Sequence, residues 1–294
     1  MVGILDAGER LEWWAAFRDG LRDLGYVEDR EVVFATRFAG GDFKRLPALA
    51  QELVRLKAAV IVTGGVAAVQ EARKATGQIP IVMATGDDPV RLGLVSSLDH
   101  PGGNVTGVTS LSAGLPGKRL EVLRTCLPTL SRVSVLWDRE NLGSVAIMRG
   151  LEEAARAANL HLEDEGVRAV SGLTAAFESM RHKRAQAVFV IGSPRFFPER
   201  GRIAEMAIAH RLPTIYGTPE YVQAGGLLSY SPSFPHLFRA AALYVDKILR
   251  GASPSELPIG EPSRFLLTVN LKTAKSLDLT VPRPLVLLAD QVLE

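Results

Sequence analysis

Short apolar runs alternate along this chain with longer stretches in which apolar residues recur every three or four positions. The first run, 2–5, is strand-like, and 11–24 then keeps helical period, with Trp14, Phe17, Leu21 and Leu24 on one face. Gly25 follows as a helix-ending residue. A second strand is predicted at 32–38 and a helix at 46–56 with Pro47 in its first turn. Short β-rich runs bounded by Gly or Pro follow at 60–63 and 79–84. The same grammar returns later: strands at 133–137, 160–167, 187–191, 214–216 and 226–229, helices at 145–158, 174–183 and 203–210. Apolar strands between helices are covered on both faces, which predicts parallel sheets.

The predicted fold is therefore α/β, with two Rossmann-like, doubly wound lobes joined by a three-crossing hinge. The crossings are expected where Pro and Gly break the pattern, at 101–107 (PGGNVTG), 230–235 and 257–265. This assigns 1–105 and 232–261 to an N-terminal lobe and 106–231 and 262–294 to a C-terminal lobe, with the segment 237–250 packing back on the first. In open α/β sheets ligands sit beyond the carboxyl ends of the strands. Those ends here carry 6–10, 64–66, 85–89, 138–144, 192–195 and 216–220. Two such edges facing each other across a hinge would make a cleft for a small molecule.

A length of 294 residues suits two domains. The net charge of +2 comes from interleaved acidic and basic residues without a basic block, which argues against nucleic acid as a partner. The longest apolar runs, such as AVIVT at 59–63, are of strand length, too short to span a bilayer. The single cysteine, Cys126, lies in the helical pattern LEVLRTCLPTL. It excludes an internal disulfide or a cysteine-based metal site and reads as a small buried apolar residue. The segment MVGILDAG enters the first strand without the marks of a signal peptide, so the chain is either cytoplasmic or lacks its leader.

No phosphate loop, dinucleotide fingerprint, zincin motif or nucleophile elbow occurs. The five histidines are scattered, and His100 is expected to be exposed. Gly64, Gly65 and Val66 follow a strand and open a helix. Their N–H groups suit a polar or anionic ligand atom, but glycine there also suits a tight turn. In MATGDDPVRLGLVSSLDHPGGNVTG, Asp88 reads as a helix N-cap with Pro89 in the first turn. Gly86 and Asp87 lie nearer the strand end, where Asp87 could meet a ligand ammonium. In DRENLGS, 138–144, Ser144 is the expected N-cap and Asn141 could both cap and bind. Ser193 precedes Phe196 and Phe197, which either wall a ligand ring or plug the core. Trp14 fits the buried helix face, leaving Trp13 to line a cleft. Nothing places a base beside a nucleophile, so no catalytic residues and no cofactor are expected.

Several stretches, in order, resemble one family. They include LRDLGYVEDREVVFATRFAGGDFKRLPALAQELVRLKAAVIVTGG, IPIVMATGDDPVRLGLVSSLDHPGGNVTGVT and GKRLEVLRTCLPTLSRVSVLWD. They continue with RLPTIYGTPEYVQAGGLLSYSPSF, YVDKILRGASPSELPI and FLLTVNLKTAKSLDLTVP. The chain resembles ABC-transporter substrate-binding proteins of the TrpX-like type along nearly its whole length. The resemblance implies a type I periplasmic-binding-protein fold, export to the periplasm or cell surface, and an ABC permease with its ATPase as partners; a monomer is expected. It also implies a small-molecule ligand, in the better-known members an aromatic amino acid.

Such a site needs a carboxylate anchor, here the 138–144 loop with Gly64–Val66, and an ammonium partner, Asp87 or Glu220. The aromatic slot would come from Trp13, Phe196 and Tyr216. The chain departs from the family pattern at Asp138-Arg139, where relatives often have Asn-Pro, and at Gly192-Ser193, where many have an acidic residue. Arg139 or Arg195 leaves an acidic ligand open. Two other readings stay open: a cytoplasmic ligand-sensing regulator of the same fold, and an enzyme on a Rossmann-like scaffold.

Overall fold

Each predicted apolar run becomes a strand of one of two sheets, and the amphipathic stretches become the helices that cover them. The computed structural model describes residues 1–110 and 114–294. The chain divides into two units, Met1–Ser112 with Ser233–Ser263, and Ala113–Pro232 with Arg264–Glu294, so it passes between them three times.

The first unit opens with β1 (Val2–Asp6), α1 (Leu11–Asp23), β2 (Phe34–Phe38), α2 (Leu46–Arg55), β3 (Val60–Gly64), α3 (Val66–Ala75), β4 (Ile81–Thr85) and β5 (Val105–Gly107). Its sheet has the order β2-β1-β3-β4-β5 with every pairing parallel. β1, β3 and β4 are buried along their whole length, as strands covered on both faces must be.

In the second unit come α4 (Leu115–Cys126), β6 (Arg132–Asp138), α5 (Leu142–Ala157), β7 (His161–Val167), α6 (Leu173–His182), β8 (Ala187–Val190), α7 (Arg200–Ala209), β9 (Thr214–Tyr216), α8 (Pro219–Gln223) and β10 (Leu228–Pro232). The chain then returns to the first unit as α9 (Phe234–Leu249). It ends in the second with β11 (Phe265–Asn270), α10 (Leu271–Ser276), α11 (Arg283–Leu288) and β12 (Gln291–Leu293). The second sheet has the order β12-β11-β10-β9-β8-β6-β7.

Helix α9 covers α1 through aromatic contacts. Trp13 stacks on Phe234 with ring centroids 4.4 Å apart, and both Trp13 and Trp14 meet Phe238. The approach is close enough to require Gly20, where a Cβ would lie 2.9 Å from the Arg239 carbonyl oxygen.

Four expectations are corrected. The stretch 101–107 is not a crossing throughout: 105–107 is β5, paired with β4, and the unit boundary falls at Ser112. β11 runs antiparallel to β10, because it re-enters from outside the βα alternation. Pro89 does not start a helix. Asp88 does cap the turn, accepting from the N–H groups of Val90 (3.1 Å) and Arg91 (2.9 Å), but the chain turns out at Gly93 with φ +65°. Finally, Asn141 rather than Ser144 caps α5, which starts three residues earlier than the apolar period suggested.

Cys126 is buried, and burial pushes its thiol up to about 11. The folded chain should therefore fail to react with a thiol-specific disulfide reagent at neutral pH and react fully in denaturant. Rapid labelling of the native chain would contradict that burial.

Candidate functional site

At the carboxyl edge of the first sheet, β1 ends in Asp6, a carboxylate with 0 % exposure. It accepts hydrogen bonds from the Gly8 N–H at 3.0 Å, Trp14 Nε1 at 2.9 Å and Arg10, whose Nε and Nη2 both reach it. Arg10 Nη2 also donates to the Gly64 carbonyl at 2.9 Å, tying β1 to the end of β3. Burial pushes the Asp6 carboxyl upward, against the pull of Arg10 and the other donors.

This pair explains Gly64. A Cβ there would overlap the Asp6 carboxylate and lie 2.8 Å from Arg10 Nη2. Gly65 is needed for a second reason, its φ of +92° as N-cap of α3. No side chain caps α3, and Val66 begins it, buried.

At the end of β4 the Gly86 carbonyl accepts from Ser110 N–H (3.1 Å), Ser110 Oγ (2.7 Å) and Thr109 Oγ1 (3.2 Å). This closes a turn that presents Asp87. One Asp87 carboxylate oxygen, Oδ1, accepts from the Asp88 N–H at 2.9 Å. The other, Oδ2, is buried without a hydrogen-bond partner. Burial raises this carboxyl, with Asp88 adding to the effect while its N–H and Arg91 oppose it.

The second sheet has its own buried acid at the corresponding edge. Asp138 ends β6 with 0 % exposure. Its Oδ1 accepts from the Glu140 N–H (3.0 Å) and Arg195 Nη1 (2.9 Å), and its Oδ2 is buried with no partner. Burial raises it, against Glu140 N–H, Arg195 and the Ser193 hydroxyl. The sequence places Asp138 in the strand-end loop 138–144 and as a departure from a family pattern, but does not single out its carboxylate; an acid at the end of a buried strand is the signal for it.

The remaining predicted residues separate into two sets. Asn141 and Ser144 satisfy each other: Asn141 Oδ1 accepts from the Gly143 N–H, and Asn141 Nδ2 donates to Ser144 Oγ at 3.0 Å. Ser193 Oγ accepts from the Phe196 N–H at 3.1 Å, and Glu220 lies buried in the first turn of α8. These stay at strand ends. Trp13, Phe196 and Tyr216 do not form an open aromatic slot. Trp13 is stacked under α9, while Phe196 and Tyr216, both with 0 % exposure, belong to the core of the second unit. Tyr216 stacks on Tyr221 at 4.9 Å.

The arginines proposed for an acidic ligand are engaged. Arg139 binds Asp164 at 2.7 Å and the Gly166 carbonyl, and lies over the Trp137 ring. Arg195 binds Asp138 and the Arg168 carbonyl. The described residues include no helix long and apolar enough to cross a membrane. They also hold no group of three or more His, Cys, Asp or Glu placed to take a metal ion.

A family model described as ABC transporter substrate binding protein matches residues 2–293. A tyrosine-binding protein of Clostridioides difficile (strain R20291) is 25% identical over 263 residues, which is 90% of this chain and 75% of that one. Among solved structures, an ABC domain of Streptococcus pneumoniae in complex with L-Trp is similar with a TM-score of 0.92 and 24% identity, covering 99% of both chains. A conserved domain protein of Vibrio cholerae gives a TM-score of 0.93 at 23% identity, covering 99% of this chain and 98% of that one. The two α/β units have the type I periplasmic-binding-protein fold. The match to residues 2–293 places this chain in the family of ABC transporter substrate binding proteins.

Proposed function

We propose that the chain is the solute receptor of an ABC importer, works outside the cytoplasmic membrane, and captures an amino acid, aromatic ones foremost. Binding closes the two units about the three crossings and produces the surface that an ABC permease reads. The observation that carries the choice of ligand is Asp87: a buried carboxylate oxygen without a partner, at the carboxyl end of a parallel strand. A ligand ammonium is the group that such an oxygen recruits. The half-satisfied Asp138 adds a second acceptor, and the engagement of Arg139 and Arg195 speaks against a purely acidic ligand. The tyrosine-binding relative and the L-Trp complex support aromatic side chains.

Isothermal calorimetry with L-tyrosine, L-tryptophan, aliphatic amino acids and a cyclitol tests this reading. An amino acid should bind and the cyclitol should not; the reverse result would sink the proposal. Asp87→Asn should weaken the amino acid by about ten- to a hundredfold, the range expected for losing a charge-assisted hydrogen bond.

The pH dependence has a definite sign. The carboxyl of Asp87 is raised in the free protein, and the ammonium favours its ionised form. Affinity should therefore fall as pH drops through the raised pKa, with proton release on binding in that window. Asp87→Asn should abolish the release. In the unliganded chain the same raised pKa means that the folded state holds the proton more tightly than the unfolded state. Its effect on stability is thus most favourable in acid and is lost as pH rises.

A further inference from the structure

Helix α4 buries an arginine. Arg119 has 7 % exposure and lies on the face that also buries Leu115, Leu120 and Leu123. Its Nε donates to the Tyr230 carbonyl of β10 at 2.7 Å. Its terminal nitrogens lie against the backbone just beyond β9, where a Cβ on Gly217 would come within 3.3 Å of Nη2 and 3.5 Å of Nη1. Neither of these nitrogens has a hydrogen-bond or carboxylate partner among the described residues.

That isolation is specific to Arg119. The other buried arginine, Arg10, is neutralised by Asp6, and Arg139 and Arg195 have Asp164 and Asp138. Burial pulls the Arg119 guanidinium down to about 10, with Tyr230 opposing. The residues that follow these two contacts in sequence, Thr218 after Gly217 and Ser231 after Tyr230, bury hydroxyl oxygens that have no hydrogen-bond partner. An uncompensated cation inside a protein is costly, and its planar fork of N–H donors matches a carboxylate.

We infer that Arg119 anchors the carboxylate of the ligand, its terminal N–H groups at the ends of β9 and β10 receiving both oxygens of a small organic acid. In the amino-acid reading, on which only the identity of that acid rests, this is the α-carboxylate. The role moves away from the 138–144 loop, where Asn141 and Ser144 are engaged with each other.

The test is calorimetry on the whole chain with L-tyrosine and L-tryptophan and with their carboxamides, beside a panel of carboxylates lacking an amino group. Arg119→Met should weaken the acids by about a hundredfold and leave the amides unchanged, as expected for losing paired charge-assisted bonds. Arg119→Lys keeps a charge and a donor for the Tyr230 carbonyl. It holds the fold if the Met variant does not, and should lose about tenfold on the acids alone. Equal losses for acid and amide would reduce Arg119 to a structural clamp and overturn the anchor, as would unchanged affinity for the acids. Binding of carboxylates without an ammonium, with the same loss in Arg119→Met, would keep the anchor and discard the amino-acid reading. A wild-type chain that responds to no carboxylate would overturn the anchor as well.

Discussion

Asp6→Ala should lower the stability of the first unit by about 3–5 kcal/mol, the cost of removing one partner from a buried ion pair. Asp6 is fully buried and accepts from three residues, Gly8, Arg10 and Trp14. Its loss leaves Arg10 charged and buried and removes the acceptor of the Trp14 indole. The melting midpoint should fall by about 10 °C, at a few degrees per kcal/mol for a unit of this size. A double variant, Asp6→Leu with Arg10→Met, should recover most of that loss, since hydrophobic replacement of a whole buried pair is often neutral. A single variant melting within a degree of the wild type would show that the pair contributes nothing. A double variant as unstable as the single would place the cost in packing instead.

Gly107→Ala should cost about 3 kcal/mol, combining overpacking with a strained left-handed backbone. Gly107 has φ +121°, and a Cβ would overlap the Met83 carbonyl oxygen and lie 2.5 Å from the Met83 nitrogen. Both obstacles are backbone, so no side-chain rotation relieves them. The position is also paired twice: Met83 is its partner in β4, and its carbonyl accepts the Gly260 N–H at 2.9 Å. Displacing it would loosen β5 and the bridge from Val108 to Gly260 together. Hydrogen exchange should show lost protection of the Val108 and Gly260 amides before the rest of the sheet. A variant with wild-type melting and unchanged exchange at both amides would contradict this geometry.

The βα alternation was legible because strands covered on both faces leave short, continuous apolar runs, and helices between them keep their period. The strand β5 was not, because the Pro and Gly around it read as a break in the pattern, and neither β11 nor β12 was predicted. Nor was the direction of β11, which depends on what lies beside it rather than on its own residues. Asp88 shows the same boundary between local and distant information: its capping chemistry was readable, but the failure of a helix to follow was not. Trp13 was assigned to open space because α1 has one apolar stripe. α9, from more than two hundred residues later, supplies a second surface that covers it. In the candidate site, Asp87 was readable from its place after a strand. Arg119 was not, since a lone arginine in a helix usually marks the solvated face.

The return of α9 to the first unit has a consequence for synthesis. All five strands of that sheet have been made by residue 107, yet the helix that covers Trp13 and Trp14 begins at Phe234. The whole stretch Ala113–Pro232 must be translated in between. A nascent chain of this protein therefore carries an unfinished first unit, with its aromatic face bare, through almost half of its elongation. The second unit meanwhile already holds five contiguous parallel strands, β7-β6-β8-β9-β10. Neither unit is therefore complete when the other begins: the first waits for α9, and the second waits longer still, for β11, α10, α11 and β12, which are made after α9.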